Sequence, residues 1–194
     1  ISETDRLRDL RLIIRWGNHQ SAKRAEPRVI EILQDEVSHM WQLPLPPHAV
    51  TKLPGIVIAP LGLADQLSIN ERGEIIPKQR LTHDQSFNVV PGTRRSVNDR
   101  VCFEALMPCR YGHALLRFIH VIIALRARHP NEPILTTKVD LKAASQRLHL
   151  TATMSVQACV LVDNLLLVAL CLTFGSAANP SQWSNVSCLT CNES

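Results

Sequence analysis

An α+β fold is predicted by three features of this 194-residue sequence. Apolar residues recur at helical spacing in "TDRLRDLRLIIRWGN", "EPRVIEILQDEVSHMWQ" and "YGHALLRFIHVIIALRARHP". Two other stretches read as antiparallel hairpins with turn residues between apolar runs. Helices and strands do not alternate regularly, so a parallel sheet with crossover helices is not expected.

In chain order, the first helix places Leu7, Leu10 and Ile14 on one face and arginines on the rest. The second sets Val29, Leu33, Val37 and Met40 at helical spacing behind Pro27, which suits a first turn. "LPLPPHAVTKLPG" reads as an extended, proline-punctuated linker, and "GIVIAP" as a short strand. "LSINERGEIIPKQRLTHD" is a hairpin turning at Asn70–Gly73. The third helix repeats Leu115, Ile119 and Ile122 and ends at Pro130. "PILTTKVD" reads as a strand, "AASQRLHL" as a short helix, and "SVQACVLVDNLLLVALCL" as a hairpin with Asp163-Asn164 at its turn. "NPSQWSNVS" starts a last helix, with Asn179 as cap and Pro180 at the first position.

The charge is uneven. Arg6, Arg8, Arg11, Arg15, Lys23, Arg24 and Arg28 crowd the first residues, whereas no Lys or Arg follows Arg147. The net charge of +4 permits a nucleic-acid partner without requiring one. The long uncharged, apolar ending and the opening on Ile1 suggest a piece of a larger protein. The first residues are charged, so no signal peptide is expected. Asp163 and Asn164 interrupt the most apolar run, so no membrane span is expected either. An intracellular protein with its six cysteines as thiols follows, leaving the sequons at Asn185 and Asn192 as chance matches.

Three stretches could carry chemistry. Lys78 and Arg80 in "KQRLTHDQSF" lie two apart on a strand and so share a face. Lys as a point charge and Arg as a flat fork can together grip a triphosphate, though a solvated strand face has the same pattern. Asp140 in "KVDLKAASQRL" is a hard oxygen ligand with the Val139 or Leu141 carbonyl as helper for Mg2+; an aspartate ending a strand is otherwise a helix cap. "LTFGSAANPSQW" sets a glycine turn before a helix, which suits close approach of a ligand.

Taken in order with "SVNDRV", these stretches resemble the reverse transcriptase family, RNA-directed DNA polymerases, and most closely its retroelement-encoded members. The likeness runs from about Trp16 to Ser187. It implies the fingers and a partial palm of a right-hand polymerase, incomplete. Residues 1–92 would hold the N-terminal helices and fingers hairpin, 93–150 a palm segment, 151–178 a second hairpin and 179–194 the start of a palm helix. Lys78 and Arg80 would contact the triphosphate and base of a dNTP, with Val139, Leu141, Ser145, Phe174 and Gly175 completing the nucleotide pocket. Asp140 would be catalytic, binding the Mg2+ ions that activate the primer 3′-hydroxyl and stabilise the departing pyrophosphate. Partners would be an RNA or DNA template-primer and dNTP. Asp84 falls at a fingers aspartate and is expected to be structural.

Ser145 departs from the family pattern, which has an aromatic residue there to close the pocket against a ribose 2′-hydroxyl. A small side chain would weaken sugar discrimination, or mark a copy out of use. The family's paired aspartates are expected beyond Ser194, so the isolated chain is expected to be inactive. Asp163 is expected in a turn and Asp99 as a surface charge.

Two alternatives stand beside this reading. One is a non-catalytic nucleic-acid-binding remnant. The other is a zinc-binding interaction module using Cys188 and Cys191, which form half of a knuckle spacing. Cys109, His113 and His120 at helical spacing are better read as structural.

Overall fold

The computed structural model describes residues 2–70, 72–106, 113–136 and 143–192, with no side-chain description for Ala114 or from 187 onward. Helix α1, Glu3–Trp16, starts where the Ser2 hydroxyl accepts the Asp5 N–H and stops at Gly17, whose positive φ ends the helical path. Its buried residues are Leu10 and Ile13, whereas Leu7 and Ile14 are exposed, so the apolar stripe is rotated from the expected one. Distant partners fix that rotation. Arg6 donates to the Ile56 carbonyl, and Asp5 and Asp9 pair with Arg95.

Helices α2, Gln20–Arg24, and α3, Glu26–Ser38, follow. Val29 and Leu33 are buried and Val37 partly so, but Met40 is 74% exposed. The helix ends before it, and Met40 sits at φ 59, which swings it off the expected face.

The expected linker is instead ordered. Strand β1, Gln42–Leu45, pairs antiparallel with β5, Leu165–Ala169. Pro44 is tolerated because β1 is an edge strand of the order β1-β5-β4, where β4 is Cys159–Val162. A 3₁₀ turn spans Pro47–Thr51. The expected strand in "GIVIAP" is reduced to one parallel bridge, Ile58 to Cys159, yet Ile56, Ile58 and Ala59 are buried. The segment fills the core with these side chains while its main chain bonds to the start of β4, the Val57 and Ala59 N–H groups donating to the Val156 and Cys159 carbonyls.

The β4–β5 hairpin turns at Asp163 and Asn164, at φ 45 and 56, as a two-residue loop with two left-handed residues. Both of its faces are covered. Cys159, Leu166 and Val168 meet α1, Val50, Ile56 and Ile58 in one cluster. Val160, Val162 and Leu167 meet Ala22, Val29, Leu33, Leu61 and Leu81 in the other. A strand pair buried on both sides must be apolar without alternation, which explains the run "LLLVA". Residues from 1–92 and from 151–178 therefore share a sheet and both cores. Asn18 ties them further, accepting from the Leu61 N–H and donating to the Leu161 carbonyl.

Strands β2, Leu61–Ile69, and β3, Ile75–His83, form the second sheet, a long hairpin whose inner end packs on α2 and α3. Asn70 organises its loop by accepting the Arg72 and Glu74 N–H groups, and Gly73 supplies a positive φ.

Helix α4, Ala114–Arg128, forms as expected, but its stripe is not buried: Leu115 is 71% exposed, and Phe118, Ile119 and Val121 are exposed too. Residues 133–136 form no strand, and the rest of that expected strand lies outside the described residues. "AASQRLHL" gives a 3₁₀ turn, Ser145–Arg147, and His149 then bridges to Cys171. A four-residue helix α5, Ala152–Ser155, precedes β4. Helix α6 spans Asn179–Asn192, and the Asn179 amide donates to the Thr173 carbonyl instead of capping. Among the described residues no helix is long and apolar enough to cross a membrane.

Leu166 is fully buried in the first cluster, between partners on β1 and β4. Leu166→Ala is expected to cost about 2–5 kcal/mol in chemical denaturation, from lost burial plus the cavity left behind. A cost under about 1 kcal/mol would contradict a sheet covered on both faces.

Candidate nucleotide-binding site

The hairpin register sorts its side chains into two faces. Gly62, Ala64 and Gln66 lie opposite Thr82, Arg80 and Lys78, so these six share one face. The one acid on β2, Asp65, lies opposite Gln79 on the other face and accepts from its amide. Lys78 and Arg80 thus project where neither strand offers a carboxylate, and neither forms an ion pair among the described residues.

Arg80 has an aromatic partner. Its guanidinium carbon lies 5.2 Å from the Phe174 ring centroid, within cation–π range. The guanidinium N–H groups make no hydrogen bond among the described residues, so the contact with Phe174 is what holds the flat fork.

Main-chain contact seats the Phe174–Gly175 turn. The His83 N–H donates to the Phe174 carbonyl at 2.9 Å. Gly175 takes φ +123, and a Cβ there would fall 1.8 Å from the His83 carbonyl oxygen, so only glycine fits. Asn98 locks the far side. Its amide donates to the Gly175 carbonyl and the Ser86 hydroxyl, and its side-chain oxygen accepts the Ala177 N–H. Gln85 donates to the buried Thr173 hydroxyl at 2.9 Å.

The segment from Ser145 onward approaches Phe174 from the other face of β3, the face of Leu81 and His83. The Leu172 N–H donates to the Leu148 carbonyl and the Leu150 N–H to the Leu170 carbonyl, so the chain after Ser145 runs beside the strand leading into Phe174. Gln146, Leu81, His83, Thr173 and Phe174 line one small cleft. Ser145 is half-buried beside it in sequence. Asp140, Val139 and Leu141 lie outside the described residues.

Titratable groups line the cleft. Burial pushes the His83 imidazole down to about 4, and its Nδ1 has no partner among the described residues. Burial raises Glu36, against a hydrogen bond from the Gln42 amide that lowers it. Cys171 is raised by burial and then by the Glu36 charge.

Two other aspartates have structural roles. Asp84 lies 2.9 Å from His19 Nε2 and accepts the Ser86 N–H. Asp99, expected as a surface charge, is exposed and also organises its turn. It accepts from Asn88, from the Ser96 N–H and from the Ser96 hydroxyl, while its own N–H donates to that hydroxyl. This reciprocal pair has the form of a capping box, set one residue ahead of Val97, the cap of the turn Asn98–Arg100. The Asn88 and then the Ser96 hydrogen bonds hold its carboxyl below the usual range. Sequence reasoning missed this box, although Ser-x-x-Asp is a readable signal, and missed Asn98, for which no local signal exists.

Among the described residues no three His, Cys, Asp or Glu side chains could hold a metal ion. Cys109 and the side chains of Cys188 and Cys191 lie outside them, and Cys102, Cys159 and Cys171 are free thiols. Comparisons with family models, with curated proteins and with solved structures find no match to this chain.

The buried His83 predicts a pH effect on stability. Its folded pKa lies below the ordinary 6.5, so the unfolded chain binds a proton that the folded one refuses between about 6.5 and about 4. Stability is expected to fall by up to about 3 kcal/mol as pH drops through that window. Glu36, raised, acts with the opposite sign in wild type and variant alike. The difference between wild type and His83→Phe in denaturation at several pH values isolates the effect; identical slopes would contradict it.

Proposed function

We propose that this chain is a fingers and partial-palm segment of a retroelement-type RNA-directed DNA polymerase, and that the outer face of β3 with the Phe174–Gly175 turn binds the incoming nucleotide. The observation that carries this is the stacking of Arg80 on Phe174, with Lys78 two residues away on a face free of carboxylates. Two residues assigned to one pocket, ninety-four positions apart in the sequence, come into contact.

In this reading Lys78 meets the triphosphate as a mobile point charge and Arg80 grips it through two parallel N–H bonds. Gly175 lets the turn seat directly on the His83 carbonyl, which holds Phe174 beside Arg80. Ser145 stands where an aromatic residue would test the sugar, so discrimination against a ribose 2′-hydroxyl would be weak. The resemblance assigns Mg2+ to Asp140, where the ion would neutralise triphosphate charge and activate the primer hydroxyl when bound. The described residues themselves bind and orient; nucleotidyl transfer to a primer would belong to the whole polymerase. Template-primer would lie along the same basic surface.

Titration calorimetry with a dNTP tests the assignment. Lys78→Ala/Arg80→Ala is expected to weaken dNTP binding by about tenfold or more, the loss of charge-assisted hydrogen bonds. Affinity for an oligonucleotide template-primer is expected to fall far less. Equal losses would contradict the role given to the pair, and Arg80→Lys should restore less than half of the lost binding energy because it cannot stack as a plane.

A further inference from the structure

The solvent face of α1 carries a second positive feature, on a different element from the Lys78–Arg80 pair. Arg8, Arg11 and Arg15 stand at i, i+3 and i+7, one stripe of a helix, and all are exposed. None makes a hydrogen bond or ion pair among the described residues. The acids of α1 are committed elsewhere: Glu3 to Arg6, and Asp5 and Asp9 to Arg95. Arg8 exerts only a minor pull on Asp5, whose carboxyl is held down first by Ser2 and then by Arg95. An ordinary solvated helix face mixes both signs; this one has been cleared of anions.

The stripe is also held in place. Leu10 and Ile13 bury the opposite face, and the Ser2 cap and Gly17 stop fix both ends. At the C-terminal end Lys23 adds a fourth cation, its ammonium 5.4 Å from the centroid of the half-exposed Trp16 ring and bonded to the Trp16 carbonyl. With a rise of 1.5 Å per residue, Arg8 and Arg15 are about 10 Å apart along the axis, the reach of two or three consecutive phosphates.

We infer that the Arg8–Arg11–Arg15 ridge of α1 is a sequence-independent contact for the phosphate backbone of one nucleic-acid strand, separate from the nucleotide site. It deepens the proposed function by assigning a strand-holding surface, but it rests on charge and exposure on α1 alone. A membrane surface fits less well, because the main apolar face of α1, Leu10 and Ile13, is in the core and leaves only the half-exposed Leu7, Ile14 and Trp16 to insert.

The test is fluorescence anisotropy of the full chain with a mixed-sequence single-stranded RNA oligonucleotide over a range of salt. Arg8→Ala/Arg11→Ala/Arg15→Ala removes three cations from exposed helix positions with a residue that favours helix, so the fold should be kept. The slope of log K against log salt is expected to become shallower by about 2, close to 0.7 for each lost phosphate contact. The matching triple Lys variant should keep the wild-type slope, and dNTP affinity should not change in either. An unchanged slope in the Ala variant overturns the inference, as does an equal loss of dNTP binding, which would mark a general charge effect. Arg-dependent binding to anionic vesicles without Arg-dependent RNA binding overturns it in favour of a membrane. A wild type that binds RNA through this ridge but no dNTP supports the ridge while removing the polymerase reading.

Discussion

The main-chain contact between His83, at the end of β3, and the Phe174–Gly175 turn governs the candidate site. It is a fit of backbone to backbone, so it leaves no room for side-chain adjustment. One end of the β2–β3 hairpin is thereby fixed to the strand that leaves β5. Arg80, three residues before His83, can then stack on Phe174. Asn98 and Gln85 close the arrangement by bonding to Gly175 and Thr173, so the turn is held from two sides.

That contact depends on a core assembled from distant parts of the chain. The β4–β5 hairpin is the centre, with α1 and residues near Ile56 on one face and α2, α3 and the hairpin base on the other. Neither half could bury its apolar face without the other. The hairpin therefore has a firm base at Leu61 and Leu81, while its outer half, with Leu67, Ile69 and Ile75 exposed, projects into solvent. Lys78 and Arg80 lie where the rigid base meets the projecting end. A ligand gripped there meets a positioned cation pair instead of a mobile loop.

Local chemistry was legible from the residues. Asp163-Asn164 and Asn70–Gly73 turn where their side chains and backbone freedom allow, and two-residue periodicity puts Lys78 and Arg80 on one face. What failed to show was set by partners far away in sequence. The rotation of α1 follows from Arg95, eighty-six residues beyond Asp9, and from the carbonyl of Ile56. Pro44 became an edge strand because β5 offered it a place, which no proline pattern predicts. Met40 and the α4 stripe followed helical spacing in sequence yet are exposed, since periodicity says which face could be buried and not whether anything covers it. The role of Asp99 lay within reach, because its cap partner Ser96 is three residues away.

The central proposal is that β3, the Phe174–Gly175 turn and the Ser145–Arg147 turn serve one ligand. Backbone NMR of the full chain during titration with a dNTP tests it most directly. The account predicts that amides at Lys78–Arg80, Thr173–Ser176 and Ser145–Arg147 shift together along a single binding curve. Shifts confined to one of these segments, or saturation of Lys78–Arg80 at a concentration that leaves Phe174 and Gly175 unmoved, would contradict it.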